Sequence, residues 1–201
     1  MNVLNIADMD KTMTDHETSA YNWLLAQSDS IEEQRKLAMT EEFKQRLAGE
    51  KVAHWIDHFT ETIQGSYGYS PIATLILTGR WKENAEVTEY WLCRHHLDLI
   101  SILGMHVEIK YLCFKDYEQY LRDKFFEMRS WLGRVIMYYN LYTKPVQINV
   151  YDDTFDVAAR ASEMVFAGRP INAVWIHDGV PKRLFVADKP KEKESWVSML
   201  K

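Results

Sequence analysis

Cysteine is scarce, with two residues in 201, Cys93 and Cys113. Neither belongs to a paired metal-ligand motif, and two thiols cannot make a disulfide framework, so a reducing cytoplasmic setting is expected. The chain also lacks any apolar run near the roughly 18 residues that a membrane-spanning helix needs. Its opening residues turn from apolar to acidic almost at once, unlike a secretory signal. Positive charge is in short supply as well. The chain has 24 Lys and Arg against 29 Asp and Glu, a formal net charge of −5. That argues against broad, sequence-independent nucleic-acid binding, although it leaves room for a local basic groove. Internal repeats and low-complexity segments are absent. What remains is an ordinary soluble composition, 47% hydrophobic and 26% charged, in a chain long enough for one domain with a real core.

The pattern of apolar residues alternates between two periods. Residues 2–7 read as a buried strand. From Glu17 to about Gln64, apolar residues recur at three- and four-residue steps, predicting two or three helices with breaks near Ser28-Asp29-Ser30 and Gly49. A turn-rich hinge, residues 65–71, leads to a strand from Ile72 to Leu77. Helix follows from about Asn84 to Leu103, stopped by Gly104, and then strand from Val107 to Phe114. A long helix over 117–141, with a break near Gly133, precedes a strand from Val146 to Tyr151. Helix is expected over 158–166, strand over 173–176, and an exposed, Lys- and Glu-rich tail from Asp188. Strands alternating with helices predict an α/β fold with a Rossmann-like open parallel sheet. The helical stretch after the first strand divides the chain into a core, residues 1–18 and 68–201, and a small helical cap insertion, residues 19–67.

Chemistry gathers at the predicted strand ends, where open α/β sheets bind ligands. The first strand runs into Asp8-Met9-Asp10-Lys11-Thr12. Two acids one residue apart repel each other unless a cation or a donor lies between them. The second strand ends in Thr78-Gly79-Arg80, and the fourth in Asp152-Asp153. A lysine-bearing helix around Lys124 lies between them.

In this order, the four features resemble the motifs of the haloacid dehalogenase (HAD) superfamily of phosphotransferases. The resemblance spans residues 2–18 and 70–178. It implies a phosphatase in which Asp8 is the nucleophile, forming an aspartyl-phosphate. Asp10 would be the general acid and base, and Thr78 and Lys124 would bind and neutralise the phosphoryl group. Asp152 and Asp153, with Asp8 and the Asp10 carbonyl, would hold Mg²⁺. Thr12, Gly79 and Arg80 would line the substrate site, although Arg80 serves equally well as a salt bridge pinning its own loop. Lys115 rivals Lys124 for the phosphate. Lys11 stands where many members have glycine.

The Leu-Thr-Gly-Arg turn followed by a long helix is most similar to HAD domains of RNA-repair proteins and polynucleotide 3′-phosphatases. It implies a nucleic-acid end or a nucleotide as substrate. The cap points instead to small phosphorylated metabolites, and a non-catalytic binding protein with this fold is the remaining alternative. His54 and His58 have zinc-capable spacing on one helix face without a third ligand, so a surface or cap-packing role is expected. His16 lies in the loop leaving the first strand, and His177 at the end of the fifth.

Overall fold

The structure is a computed structural model that describes residues 2–56, 70–104, 106–112 and 116–184, apart from the side chains of 70, 96–102, 183 and 184. In chain order the elements are β1 (Asn2–Asp8), α1 (Ala20–Gln27), α2 (Ile31–Ala38), α3 (Glu41–Gly49) and β2 (Ser70–Thr78). A single 3₁₀ turn, Lys82–Asn84, then leads to α4 (Ala85–Leu103), β3 (His106–Tyr111), α5 (Tyr117–Tyr138) and β4 (Val146–Asp152). The last are α6 (Phe155–Ser162), β5 (Val165–Phe166), β6 (Arg169–His177) and β7 (Val180–Leu184). Among the described residues no helix is long and apolar enough to cross a membrane.

The sheet runs β3-β2-β1-β4-β6-β5, with β7 also on β6. The pairs among β3, β2, β1, β4 and β6 are parallel, and β5 and β7 pair antiparallel to β6. The expected α/β architecture with a mostly parallel open sheet is therefore present. After β3 the chain crosses back to the far side of β1. That makes the carboxyl ends of β1 and β4 the topological switch point, where such sheets bind ligands.

Alternation along the strands sorts side chains between two buried faces. Leu4, Ile6, Leu75, Leu77, Ile148 and Val150 pack against Leu121, Met128, Trp131 and Leu132 of α5 and Val157 of α6. Ala7, Ile76 and Tyr151 face the other way, toward Trp91 and Leu103 of α4 and toward Trp55 and Ile56. Burial on both faces explains why β1 is apolar on either side of its central Asn5.

One polar row crosses the second face. Asn5, Asn149 and Asn172 stand in register on β1, β4 and β6. Asn149 Nδ2 donates to Asn5 Oδ1 (3.0 Å), and Asn172 Nδ2 to Asn149 Oδ1 (3.3 Å). A one-residue slip would break this ladder and turn the apolar residues to the wrong face, so it helps fix the register on which the site depends.

The segment between β1 and β2 holds α1, α2 and α3, built around Ala20, Leu24, Ala38, Phe43 and Leu47. Ser30 and Thr40 cap α2 and α3, accepting from the amides of Glu33 and Phe43. The cluster packs on Trp81 and Val87, so the insertion rests on the loop after β2 and the start of α4.

Local expectations failed in three places. The helix predicted over 158–166 ends at Ser162, because Ala167 and Gly168 take φ of 51° and 76° and turn the chain into the β5–β6 hairpin. β6 starts earlier than predicted, at Arg169. Pro170 sits there within the two-residue pairing with β5, next to a sheet end where a missing amide is tolerated. Finally, α5 runs unbroken through Gly133.

Candidate active site

Asp8 ends β1 on the face that α5 covers, since it follows Leu4 and Ile6 at intervals of two. Asp152 ends β4 with the same parity after Ile148 and Val150. Lys124 lies on the buried stripe of α5 with Leu121 and Met128, where only a paired charge is tolerated. Its Nζ is 2.6 Å from Asp8 Oδ1 and 2.7 Å from Asp152 Oδ2, and all three side chains are buried. Tyr120, one turn earlier, accepts from Lys124 Nζ at 2.7 Å and donates to Asp8 Oδ1 at 3.3 Å.

Burial holds Asp8 well above the usual carboxylate range. Lys124 opposes this, while Asp152, Asp153 and Asp10 add to it. Burial also works against the Lys124 ammonium, but Asp152 and Asp8 outweigh it and keep that group firmly protonated. The ammonium thus occupies one oxygen of Asp8, and among the described residues no hydrogen bond reaches Oδ2.

The second carboxylate has different partners. Asp10 Oδ1 accepts from Arg80 Nε (2.9 Å) and Nη2 (2.7 Å), and Asp10 Oδ2 accepts from the Thr78 hydroxyl (3.2 Å). Thr78 Oγ1 in turn accepts from the Arg80 amide at 3.1 Å, which tightens the turn after β2. Arg80 is wholly buried, and its remaining donors reach Glu50 Oε2 (2.5 Å) and Thr88 Oγ1 (3.4 Å). Between the two roles open to Arg80, substrate contact and loop pinning, the geometry favours pinning. Every nitrogen of its guanidinium is engaged within the protein.

Thr12 and Gly79 stand beside these groups. Thr12 is buried, its carbonyl accepts from Trp55 Nε1 (2.7 Å), and its hydroxyl has no partner among the described residues. The Gly79 carbonyl accepts from the Tyr21 hydroxyl at 3.4 Å. Lys11 adopts φ 61°, in the left-handed region that suits glycine. Its amide donates to Thr14 Oγ1 (3.1 Å), while the Met13 and Thr14 amides fold back onto the Met9 carbonyl. Lys11, His16, Asp153 and His177 line a polar recess of about 120 Å³. A larger concavity of about 630 Å³ lies elsewhere, between the start of β3 and the end of α5, and includes none of Asp8, Asp10, Asp152 and Asp153.

The acidic pair after β4 divides its duties. Asp152 has Lys124 at Oδ2, and its Oδ1 accepts from the Thr154 amide at 2.9 Å. Asp153 is half-buried and has no side-chain hydrogen bond or ion pair among the described residues. Burial and Asp152 push it up to about 6, against the pull of Lys124 and Lys11.

Four acids, Asp8, Asp10, Glu50 and Asp152, therefore share two buried cations, Lys124 and Arg80, and Asp153 stands beside them unpaired among the described residues. Oxygen donors with a deficit of positive charge suit a hard divalent cation such as Mg²⁺. Asp153 and Asp8 Oδ2 are positions open to it, and Asp152 Oδ2, 2.7 Å from the Lys124 ammonium, is buried without a hydrogen-bond partner among the described residues. Among the described residues no three such side chains are gathered closely enough to hold a metal, and the Lys124 ammonium lies between Asp8 and Asp152. In charge and donor type the residues fit the ion.

Tyr120, Glu50 and Thr88 join this network without having been anticipated from the sequence. Tyr120 had one usable signal, its place four residues before a buried lysine. Lys115 and His58 lie outside the described residues. No protein-family model matches the chain, and no curated protein or solved structure matches it at a significant level.

Proposed function

We propose that the protein is a Mg²⁺-dependent phosphatase of the HAD type, hydrolysing a phosphate monoester through an aspartyl-phosphate on Asp8, with α1–α3 as its cap. The observation behind this reading is the division of labour between two carboxylates at one strand end. Asp8 is held on one oxygen by Lys124 and Tyr120, and the other accepts no hydrogen bond among the described residues. Asp10 is oriented by Arg80 and Thr78. Paired acids placed in different surroundings are the usual basis of acid and nucleophile roles.

In the first step, Asp8 Oδ2 attacks phosphorus and the bond to the leaving oxygen breaks. Asp10 gives a proton to the departing alkoxide from Oδ2, since Oδ1 is taken by Arg80. In the second step, Asp10 takes a proton from water, the water oxygen bonds to phosphorus, and the bond to Asp8 breaks, releasing inorganic phosphate. Lys124 supplies positive charge beside the transferring group, and Asp152 keeps that ammonium in place. A Mg²⁺ held by Asp8, Asp152, Asp153 and the Asp10 carbonyl would neutralise the phosphoryl oxygens.

We favour a nucleotide or nucleic-acid end as substrate. Tyr117 and Phe155, each half-exposed at the amino ends of α5 and α6, stand at the edge of the site. Tyr117 stacks on Tyr120, whose hydroxyl touches Asp8, and Phe155 packs edge-on against Trp175. Aromatic surface of this kind suits a base rather than a bare sugar. The test is phosphate release from 3′- and 5′-phosphorylated oligonucleotides, nucleoside monophosphates and sugar phosphates, with Mg²⁺ and with EDTA. Mg²⁺-dependent release from the nucleotide members is expected. Release from sugar phosphates alone would favour a metabolite phosphatase, and no release at all would favour a binding protein.

A further inference from the structure

Glu50 is a buried carboxylate that the chemistry above leaves unused, and it comes from the helical insertion rather than from the sheet. It is 2% exposed and sits just past the end of α3. Each of its acceptor groups is engaged. Oε1 accepts from the Ala20 amide at 2.7 Å, capping α1, whose own N-cap Ser19 makes no capping bond. Oε2 accepts from Arg80 Nη2, and the backbone carbonyl accepts from Trp91 Nε1 at 2.7 Å. The same Arg80 Nη2 donates to Asp10 Oδ1. One guanidinium nitrogen thus bridges the insertion and the acid next to the nucleophile.

A buried ion pair is weak grounds for stability, because desolvation offsets most of the attraction and an apolar replacement of similar volume often does as well. Two acids around one guanidinium, one of them wholly buried and pushed up to about 7 by that burial, are harder still to justify on stability alone. What the arrangement does provide is fixed orientation. With Nε and Nη2 on Asp10, Nη2 also on Glu50 and Nη1 on Thr88, the Arg80 plane cannot turn without breaking several bonds at once.

We propose that Glu50 is a positioning residue for Asp10, acting through the Arg80 guanidinium that the two carboxylates share, so that the helical insertion is a fixed part of the proton-transfer machinery. This rests on the phosphatase reading, in which Asp10 protonates the leaving group. A misplaced proton donor harms a poor leaving group far more than a good one. An alkoxide needs the proton as its bond breaks, and a nitrophenolate does not. A residue that merely supported the fold would lower both rates alike.

The experiment compares kcat/KM for an alkyl phosphate and for p-nitrophenyl phosphate in the wild type, Asp8→Asn, Glu50→Gln and Thr88→Val. Glu50→Gln is expected to lower the alkyl value by on the order of 10- to 100-fold, a share of what general acid catalysis supplies, and the nitrophenyl value by less than about threefold. Thr88→Val, which removes a single long contact to Arg80, should show the same pattern more weakly, and it serves in place of Glu50→Gln if that variant does not fold. Equal losses on both substrates, or no loss on either, would overturn the proposal.

If the wild type releases phosphate neither from these two substrates nor from the nucleotides and sugar phosphates named above, or if release survives Asp8→Asn, the phosphatase reading fails. The coupling itself is then read from the Arg80 Nε–H resonance. Glu50→Gln must shift it if Glu50 sets the position of the guanidinium on Asp10, and an unmoved resonance would end the proposal.

Discussion

Lys124→Met removes the ammonium that lies 2.6 Å from Asp8 and 2.7 Å from Asp152, replacing it with an apolar chain of similar length. Both acids are buried, so water cannot take over the lost charge. Breaking a buried pair from one side costs about 3–5 kcal/mol. A second route gives a similar figure. An orphaned carboxyl can escape by taking up a proton, and from an ordinary value near 4 that costs about 4 kcal/mol at pH 7, at roughly 1.4 kcal/mol per pH unit. The cost must therefore shrink on acidification, because loss of the ammonium raises Asp8 further above its already elevated wild-type position, and the variant's native state binds more proton than the wild type's. Urea unfolding at pH 7 should show a midpoint lower by about 1.5–2.5 M, taking a slope near 2 kcal/mol/M. At pH 5 the deficit should fall to roughly 1–2 kcal/mol. A loss below about 1 kcal/mol at pH 7, or one that grows toward pH 5, would refute the placement of Lys124 between the two buried acids.

Other consequences concern pH, register and the loop after β1. Glu50 and Asp153 are pushed up to about 7 and about 6 from ordinary values of 4.5 and 3.8, so the native state holds protons that the unfolded chain has released. Unfolding free energy measured in EDTA should therefore fall as pH rises from about 5 to 7.5, and Glu50→Gln should flatten the curve by on the order of 3 kcal/mol; a rising curve would contradict this. Asn149→Ala removes the donor to Asn5 and the acceptor for Asn172, so a loss of about 2–4 kcal/mol is expected, seen as a melting temperature lower by roughly 5–15 °C. An unchanged melting temperature would mean that the ladder does not fix the register. Lys11→Gly relieves a left-handed backbone but frees the unfolded chain, so calorimetry should find it within about 1 kcal/mol of the wild type, and a larger loss would mean that the Lys11 side chain matters to the fold.

The acids of this site could be read from residue types at strand ends and Lys124 from the resemblance to the HAD motifs, and the fold supplies the physical reason. Acids at the ends of apolar strands, and a lysine on the buried stripe of a helix, are too unfavourable singly to be placed without partners. Asp8, Asp152 and Lys124 do meet. Glu50 gave no such signal, since an acid following a charged helix and a glycine looks like any solvated residue until tertiary packing buries it. Arg80 had two readings that local sequence cannot separate, because a guanidinium matches a carboxylate and a phosphate equally well. In the fold, the parallel sheet followed from the alternation of strands with helices long enough to cross over. The boundary near residue 163 did not, because Met164-Val165-Phe166 fits the end of a helix and a short strand equally. The turn that decides it uses a non-glycine residue, Ala167, at positive φ.

The central claim is that Asp8 carries the phosphoryl group, and beryllofluoride tests it whatever the substrate. This complex mimics a phosphoryl group bonded to a carboxylate oxygen. Fluorine-19 NMR of the full chain with Mg²⁺ should show bound beryllofluoride resonances in the wild type and none in Asp8→Asn. Bound resonances that persist in Asp8→Asn, or a wild type that binds none, would contradict the assignment of Asp8 as nucleophile.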